Sequence, residues 1–171
     1  MTNISRNFAL KCYCIYEISK LSETEIKDRL EADYIDRDGS GGWDGDGEGS
    51  GEPIKYDSIY SSEVQEFLIR FYCEYVFAGA SNEFLERFLK NCFKTDYAVI
   101  GKEKELFRCP CCGYLTLDAP GDYDICQVCF WEDSGITKDE SYSGPNRATL
   151  GDYRKRTLEK IDTNAVPFKK A

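Results

Sequence analysis

A chain of 171 residues with 42% hydrophobic and 14% aromatic residues can form one packed domain, or two small ones sharing a surface. It has no histidine, so a Ser-His-Asp triad, a Cys-His dyad, an HExxH zinc protease and a Cys2His2 finger are all excluded. The net charge of −9 is uneven: residues 1–101 hold 11 Lys/Arg against 19 Asp/Glu (net −8), and residues 102–171 hold 11 against 12 (net −1). An acidic surface of this kind repels phosphate backbones, attracts basic partners and aids solubility.

Residues 5–32 are predicted to form two helices. Ser5 caps the first, with Leu10, Cys14, Ile18 and Leu21 near helical spacing. Phe8, Leu10, Cys12, Cys14 and Tyr16 also alternate as in a strand, but the helical stripe runs longer. Ser22 followed by Glu25 reads as a capping box for a second helix over about 23–32. Glycine and acid dominate residues 37–52, which are expected to form a flexible loop because they bury too little to offset ordering entropy.

After a connector at 53–60, Ser62 with Gln65 reads as a second capping box. The helix that follows carries Val64, Phe67, Leu68, Phe71, Tyr75 and Val76 on one face and stops at Gly79. Ser81 or Asn82 caps a further helix with Phe84, Leu85, Phe88, Leu89, Cys92 and Phe93. The two read as an antiparallel pair packing by their aromatic stripes. Tyr114–Leu117 alternates as a strand, Ala119–Asp122 reads as a turn, and Tyr123–Ile125 as the returning strand. Thr149 with Asp152 opens a last helix over about 150–161, using Leu150, Tyr153, Leu158 and Ile161.

The chemistry lies in the cysteines. No apolar run approaches the ~20 residues that span a bilayer, and the first residues lack a signal peptide's apolar stretch. The expected compartment is therefore the cytoplasm, where thiols stay reduced and nine cysteines argue for metal over disulfides. Cys109-Pro-Cys-Cys112-Gly and Cys126-Gln-Val-Cys129 form paired C-x-x-C turns separated by 13 residues. Each such turn aims two sulfurs inward, and two of them complete a tetrahedron about 2.3 Å from a zinc ion. Pro110 narrows the first turn, and Gly113 permits a positive φ after its second ligand. Iron in a rubredoxin-like site is the rival metal. Cys111 reads as a small filler or as a redox-sensitive thiol beside the metal, and Cys12, Cys14, Cys73 and Cys92 as buried helical thiols. A second metal site at Cys12 and Cys14 lacks a partner pair. An EF-hand register from Asp36 finds Asp38, Ser40, Gly41 and Asp44 in place, but Gly47 where the bidentate Glu belongs.

The run RCPCCGYLTL…GDYDICQVCFWEDSG resembles the cysteine-rich CPCC domain, a small bacterial family named for that motif. The resemblance covers residues 106–161 and continues through Gly144, Asn146 and Leu150 into the last helix. The family usually has Pro at the position of Gln127, and neither this change nor Thr149 in place of Ser touches a proposed ligand. The resemblance carries no enzymatic activity. It implies a companion of contact-dependent or secreted toxins, that is, an immunity protein.

The resulting expectation is an α+β protein: a mainly helical N-terminal part, a small zinc-ribbon-like β-hairpin domain and a final helix. Its parts are N-terminal helices at 1–36, the acidic Gly-rich loop at 37–52, a helical pair at 53–101 and the CPCC domain at 102–171. One structural zinc ion is held by Cys109, Cys112, Cys126 and Cys129. The function expected is non-catalytic binding of a cognate, basic protein toxin, with no membrane association, and with Asp44, Asp46, Glu48, Glu63, Glu66 and Glu74 as candidate contacts. Nucleic-acid binding through Arg147, Arg154, Lys155, Arg156 and Lys160 is the alternative, opposed by the chain's acidity. Thiol sensing is the other alternative. A four-thiolate zinc is coordinatively closed and cannot activate water, which leaves Glu132 and Asp133 as the acid and base an enzyme would need, although such carboxylates more often sit at turns or cap helices. Phe130 and Trp131 are expected to pack over the metal site.

Overall fold

The computed structural model describes residues 2–32 and 57–171. The acidic Gly-rich stretch 37–52, with Asp44, Asp46 and Glu48, and the calcium register starting at Asp36, lie outside the described residues. The elements run β1 (Thr2–Ser5), α1 (Arg6–Ile18), α2 (Glu23–Ala32), α3 (Ser62–Phe71), α4 (Asn82–Phe93) and β2 (Tyr97–Ile100). The cysteine-rich part follows with β3 (Phe107–Arg108), β4 (Leu115–Leu117), β5 (Tyr142–Ser143), β6 (Ala148–Thr149) and α5 (Leu150–Leu158). Mixed helix and short hairpins, with helices early and one helix late, match the α+β expectation.

Local chemistry sets the helix starts. The Ser5 hydroxyl accepts from Phe8 N–H, Ser81 from Phe84 N–H and Thr149 from Asp152 N–H, each satisfying one orphan donor of a first turn. Ser22 and Glu25 form the expected reciprocal box: Glu25 N–H donates to Ser22 Oγ, and the Glu25 carboxylate accepts from Ser22 N–H at 2.8 Å. The box expected at Ser62 does not form. Ser61 caps α3 by accepting from Val64 N–H, and Gln65 instead donates to the Ile59 carbonyl at 2.9 Å.

Helix α3 does not run regularly to Gly79. It widens into a π-helical turn at Tyr72–Val76, closed by Phe77 N–H on the Tyr72 carbonyl at 2.8 Å. The wider turn brings Tyr72 into the core and leaves Tyr75 exposed, against the inward stripe expected.

Of the strands, only β4 was expected; β1, β2, β3, β5 and β6 were not. β1 and β2 pair in parallel, Thr2 opposite Tyr97 through Ser5 opposite Ile100, and bring the chain start beside the end of α4. The hairpin expected to return at Tyr123–Ile125 is also different. β4 pairs antiparallel with β3, which precedes it, and Ile125 makes only a single bridge to Glu132. Tight turns at both C-x-x-C sequences cause this, because each returns the chain onto its own upstream residues.

Two apolar cores result. The first gathers Leu10, Tyr13, Cys14, Val64, Leu68, Leu85 and Leu89 from α1, α3 and α4. The second gathers the cysteines with Tyr114, Leu117, Trp131, Leu150 and Phe168. Phe77 packs against both. The C-terminal segment ties them together: Ser81 N–H donates to the Pro167 carbonyl at 2.8 Å, and Leu115 N–H to the Lys169 carbonyl at 2.8 Å. Among the described residues, no helix is long and apolar enough to cross a membrane.

Candidate metal centre

Each C-x-x-C sequence is the turn of its own small hairpin, and the two turns are built alike. In the first, Gly113 N–H donates to the Cys109 carbonyl at 3.0 Å and Cys109 N–H to the Tyr114 carbonyl at 2.8 Å. In the second, Phe130 N–H donates to the Cys126 carbonyl at 2.8 Å and Cys126 N–H to the Trp131 carbonyl at 2.9 Å. The residue closing each turn has a positive φ, 79° at Gly113 and 60° at Phe130. Glycine takes that conformation freely, whereas a bulky residue takes it at a cost.

The turns face each other, and the side chains of Cys109, Cys112, Cys126 and Cys129 converge. All four are buried, and their sulfurs lie within 4.8 Å of one another. Cys109 and Cys129 Sγ are 3.6 Å apart, and Cys112 and Cys126 Sγ are 3.5 Å apart. A tetrahedral ion bonded to sulfur at about 2.3 Å places its sulfurs about 3.8 Å apart, so the donor set fits one metal ion. Among the described residues, no other cluster of His, Cys, Asp or Glu was found to converge in this way.

Polar groups around the sulfurs favour the ionised form. Thr116 Oγ1–H donates to Cys126 Sγ at 3.1 Å and Val128 N–H at 3.4 Å. Hydrogen bonds from Cys109, the other thiols and Thr116 hold Cys126 well below the ordinary thiol range. The same sharing of protons pushes Cys109 and Cys129 up, through Cys112 and Cys109 respectively, with burial adding to it. A buried cluster of four sulfurs gives up all its protons only when a cation replaces them.

Two neighbouring side chains of α5 clamp the two turns. Tyr153 Oη–H donates to the Cys129 carbonyl at 3.0 Å. Arg154 donates to the Cys111 carbonyl at 3.1 Å and the Pro110 carbonyl at 2.8 Å, and its third contact is an ion pair with Asp139 at 2.7 Å. Trp131 is fully buried and meets the Tyr153 ring edge-on at 5.1 Å.

Residues 107–160 match the family model described as cysteine-rich CPCC. No curated protein matches the chain, and no solved structure does. The CPCC segment thus coincides with the cluster and with the helix that braces it.

Some residues keep their expected roles and others do not. Phe130 does not pack over the metal site: its left-handed backbone turns the ring outward, and it is 70% exposed. Asp133 is buried but clamps a turn, its carboxylate accepting from Gly121 N–H at 2.8 Å and Gly135 N–H at 3.2 Å. Glu132 is held by its backbone, which exchanges hydrogen bonds with the Asn146 side chain at 2.9 and 2.8 Å. Cys111 is buried within the second core. Of the scattered cysteines, Cys14 is buried, Cys12 and Cys73 are half-buried, and Cys92 is exposed near the solvated end of α4. Glu63, Glu66 and Glu74 are exposed on α3 and its π turn, apart from the cluster. In the basic run, Arg154 is engaged by carbonyls and Asp139, and Arg156 lies over the Tyr153 ring at 4.7 Å.

Sequence reasoning missed Thr116, Tyr153 and Arg154 as parts of the site. Thr116 carried a weak signal, a lone hydroxyl in an otherwise apolar strand.

Proposed function

We propose that this protein is a non-catalytic binding protein whose CPCC segment is stapled by one structural zinc ion. The four-sulfur donor set favours zinc over harder cations, and all four tetrahedral positions are taken by thiolates, so no position remains for water or substrate. Zinc supplies folding energy to a segment whose own core is small. Thr116 orients Cys126, and Tyr153 and Arg154 hold the carbonyls of the two turns.

The observation that carries the binding reading is a pair of exposed aromatics in strained backbone. Tyr123 and Phe130 both have φ of 60° and are 60% and 70% exposed. A left-handed backbone costs a large residue stability, and a ring left facing solvent recovers little of it by burial, which supports a role toward a partner. Tyr123 also lines a cleft of about 350 Å³ with Tyr75, Lys104, Thr116, Asp118 and Gln127. The net charge of −9 favours a basic partner and a fast, salt-dependent encounter.

The specific form we favour is an immunity protein of a bacterial cytoplasm that binds and neutralises a cognate basic toxin. The resemblance to the CPCC family and the acidity of residues 1–101 support it.

The test is purification of the tagged protein from its source cells, with mass spectrometry of what co-elutes and metal analysis of the same sample. A stoichiometric basic polypeptide whose toxicity falls on co-expression supports the reading. A partner-free protein carrying one zinc ion removes the immunity role and leaves the staple.

A further inference from the structure

The helical half carries a second sulfur pair, remote in sequence from the metal centre. Cys14 sits in α1 and Cys73 in the π-helical turn after α3. They are separated by 59 positions, yet their sulfurs are 3.2 Å apart. We propose that Cys14 and Cys73 form a redox-responsive crosslink, closed by hydroperoxide and opened by thiols.

The two sulfurs are unequal. Cys14 is fully buried in the first core, whereas Cys73 is half-buried. Cys73 lies below the ordinary thiol range, chiefly through its hydrogen bond with Cys14 and then through the Lys11 ammonium. Cys14 is pushed up by the same hydrogen bond and by burial. A half-buried sulfur in contact with a fully buried one is the arrangement of an attacking and a resolving cysteine, the outer one meeting the oxidant first.

The chemistry balances. Cys73 thiolate attacks the peroxide oxygen and the O–O bond breaks, leaving a Cys73 sulfenic acid and a hydroxide that is protonated to water. Cys14 then attacks the Cys73 sulfur. The S–S bond forms, the S–O bond breaks, and the departing hydroxide takes the Cys14 proton as a second water. The two thiols lose two electrons, and the hydroperoxide is reduced.

The crosslink would join α1 to the π turn. Phe77, the residue after that turn, meets the Tyr13 ring at 4.8 Å in a tilted arrangement and packs against both cores. Closing the bond therefore fixes the helix from which Phe77 reaches the second core. It also closes a chain loop that includes the whole acidic Gly-rich stretch, which restricts the unfolded chain strongly.

The test uses the full, reduced, zinc-loaded chain with stoichiometric hydrogen peroxide, followed by alkylation and peptide mapping. The expected result is a dominant Cys14–Cys73 crosslinked peptide, absent from Cys14→Ala and Cys73→Ser. The melting temperature should rise by on the order of 10 °C and return with dithiothreitol. Three results would overturn the proposal: no such peptide, a dominant pair involving Cys12 or Cys92, or oxidation of Cys109 and Cys129 with zinc release before any crosslink. The wild-type map decides even where a variant folds poorly.

Discussion

Gly113 and Phe130 occupy the same place in the two cysteine turns, each donating its N–H to the carbonyl of the turn's first cysteine. Their φ values, 79° and 60°, are both left-handed, so one turn is relaxed and the other strained. Phe130→Gly is therefore expected to stabilise the metal-loaded protein by about 1 kcal/mol, less the entropy that glycine adds to the unfolded chain. Gly113→Ala should destabilise by a similar amount. The nearest atoms to a Cβ there are 3.5 Å away, so the backbone angle alone sets that cost. Denaturant titration at fixed zinc concentration measures both, and Phe130→Gly should also weaken partner capture.

Cys112→Ser and Cys129→Ser are expected to lower zinc content and loosen the second core, leaving the helices of the first core largely folded. Metal analysis and tryptophan fluorescence, reporting on buried Trp131, measure the two effects. Full occupancy with unchanged stability in both variants would sink the assignment. In the wild type, zinc affinity should fall steeply as pH drops, because each ion displaces several thiol protons.

Thr116→Val keeps the shape of the side chain and removes the hydroxyl that donates to Cys126 Sγ at 3.1 Å. Metal affinity should fall by about 10- to 100-fold. Competition with a zinc chelator measures it. An unchanged affinity would mean that the hydroxyl is a passive neighbour.

Arg154→Met leaves the Pro110 and Cys111 carbonyls without their donor. A loss of about 1–3 kcal/mol is expected. Arg154→Lys should recover little of it, since one ammonium cannot reproduce a fork spanning two carbonyls and Asp139. Urea unfolding at saturating zinc separates this from a metal effect.

Glu103 accepts from Asn82 N–H at 2.7 Å and pairs with Lys169 at 2.6 Å, tying α4 to the C-terminal segment. Burial alone would raise its carboxyl, but Lys169, the Asn82 N–H and Arg6 prevail and lower it. A carboxyl lowered on folding stabilises the protein above its unfolded pKa of about 4.3, and that contribution is lost as pH falls through the folded value. Glu103→Gln should thus cost about 1 kcal/mol near neutrality and nothing at strongly acid pH. Parallel melts across pH test it.

Much of the plan was legible in order of residues. Caps at Ser5, Ser22, Ser81 and Thr149 act within four residues of themselves, so local chemistry announces them. The CPCC and CQVC turns likewise draw their sulfurs together by short-range backbone geometry, and two pairs suffice for a tetrahedron. Less legible was α3, where a π-helical turn shifts the inward face so that Tyr72 replaces Tyr75.

By itself the sequence determined the helix starts, the four-sulfur donor set and the exclusion of histidine chemistry, because each depends on near neighbours or on composition. Only the tertiary structure decided that β1 pairs with β2, that Tyr153 and Arg154 clamp opposite turns, and that Cys14 meets Cys73. Those contacts join residues tens of positions apart. They depend on how whole helices pack, which no local spacing encodes.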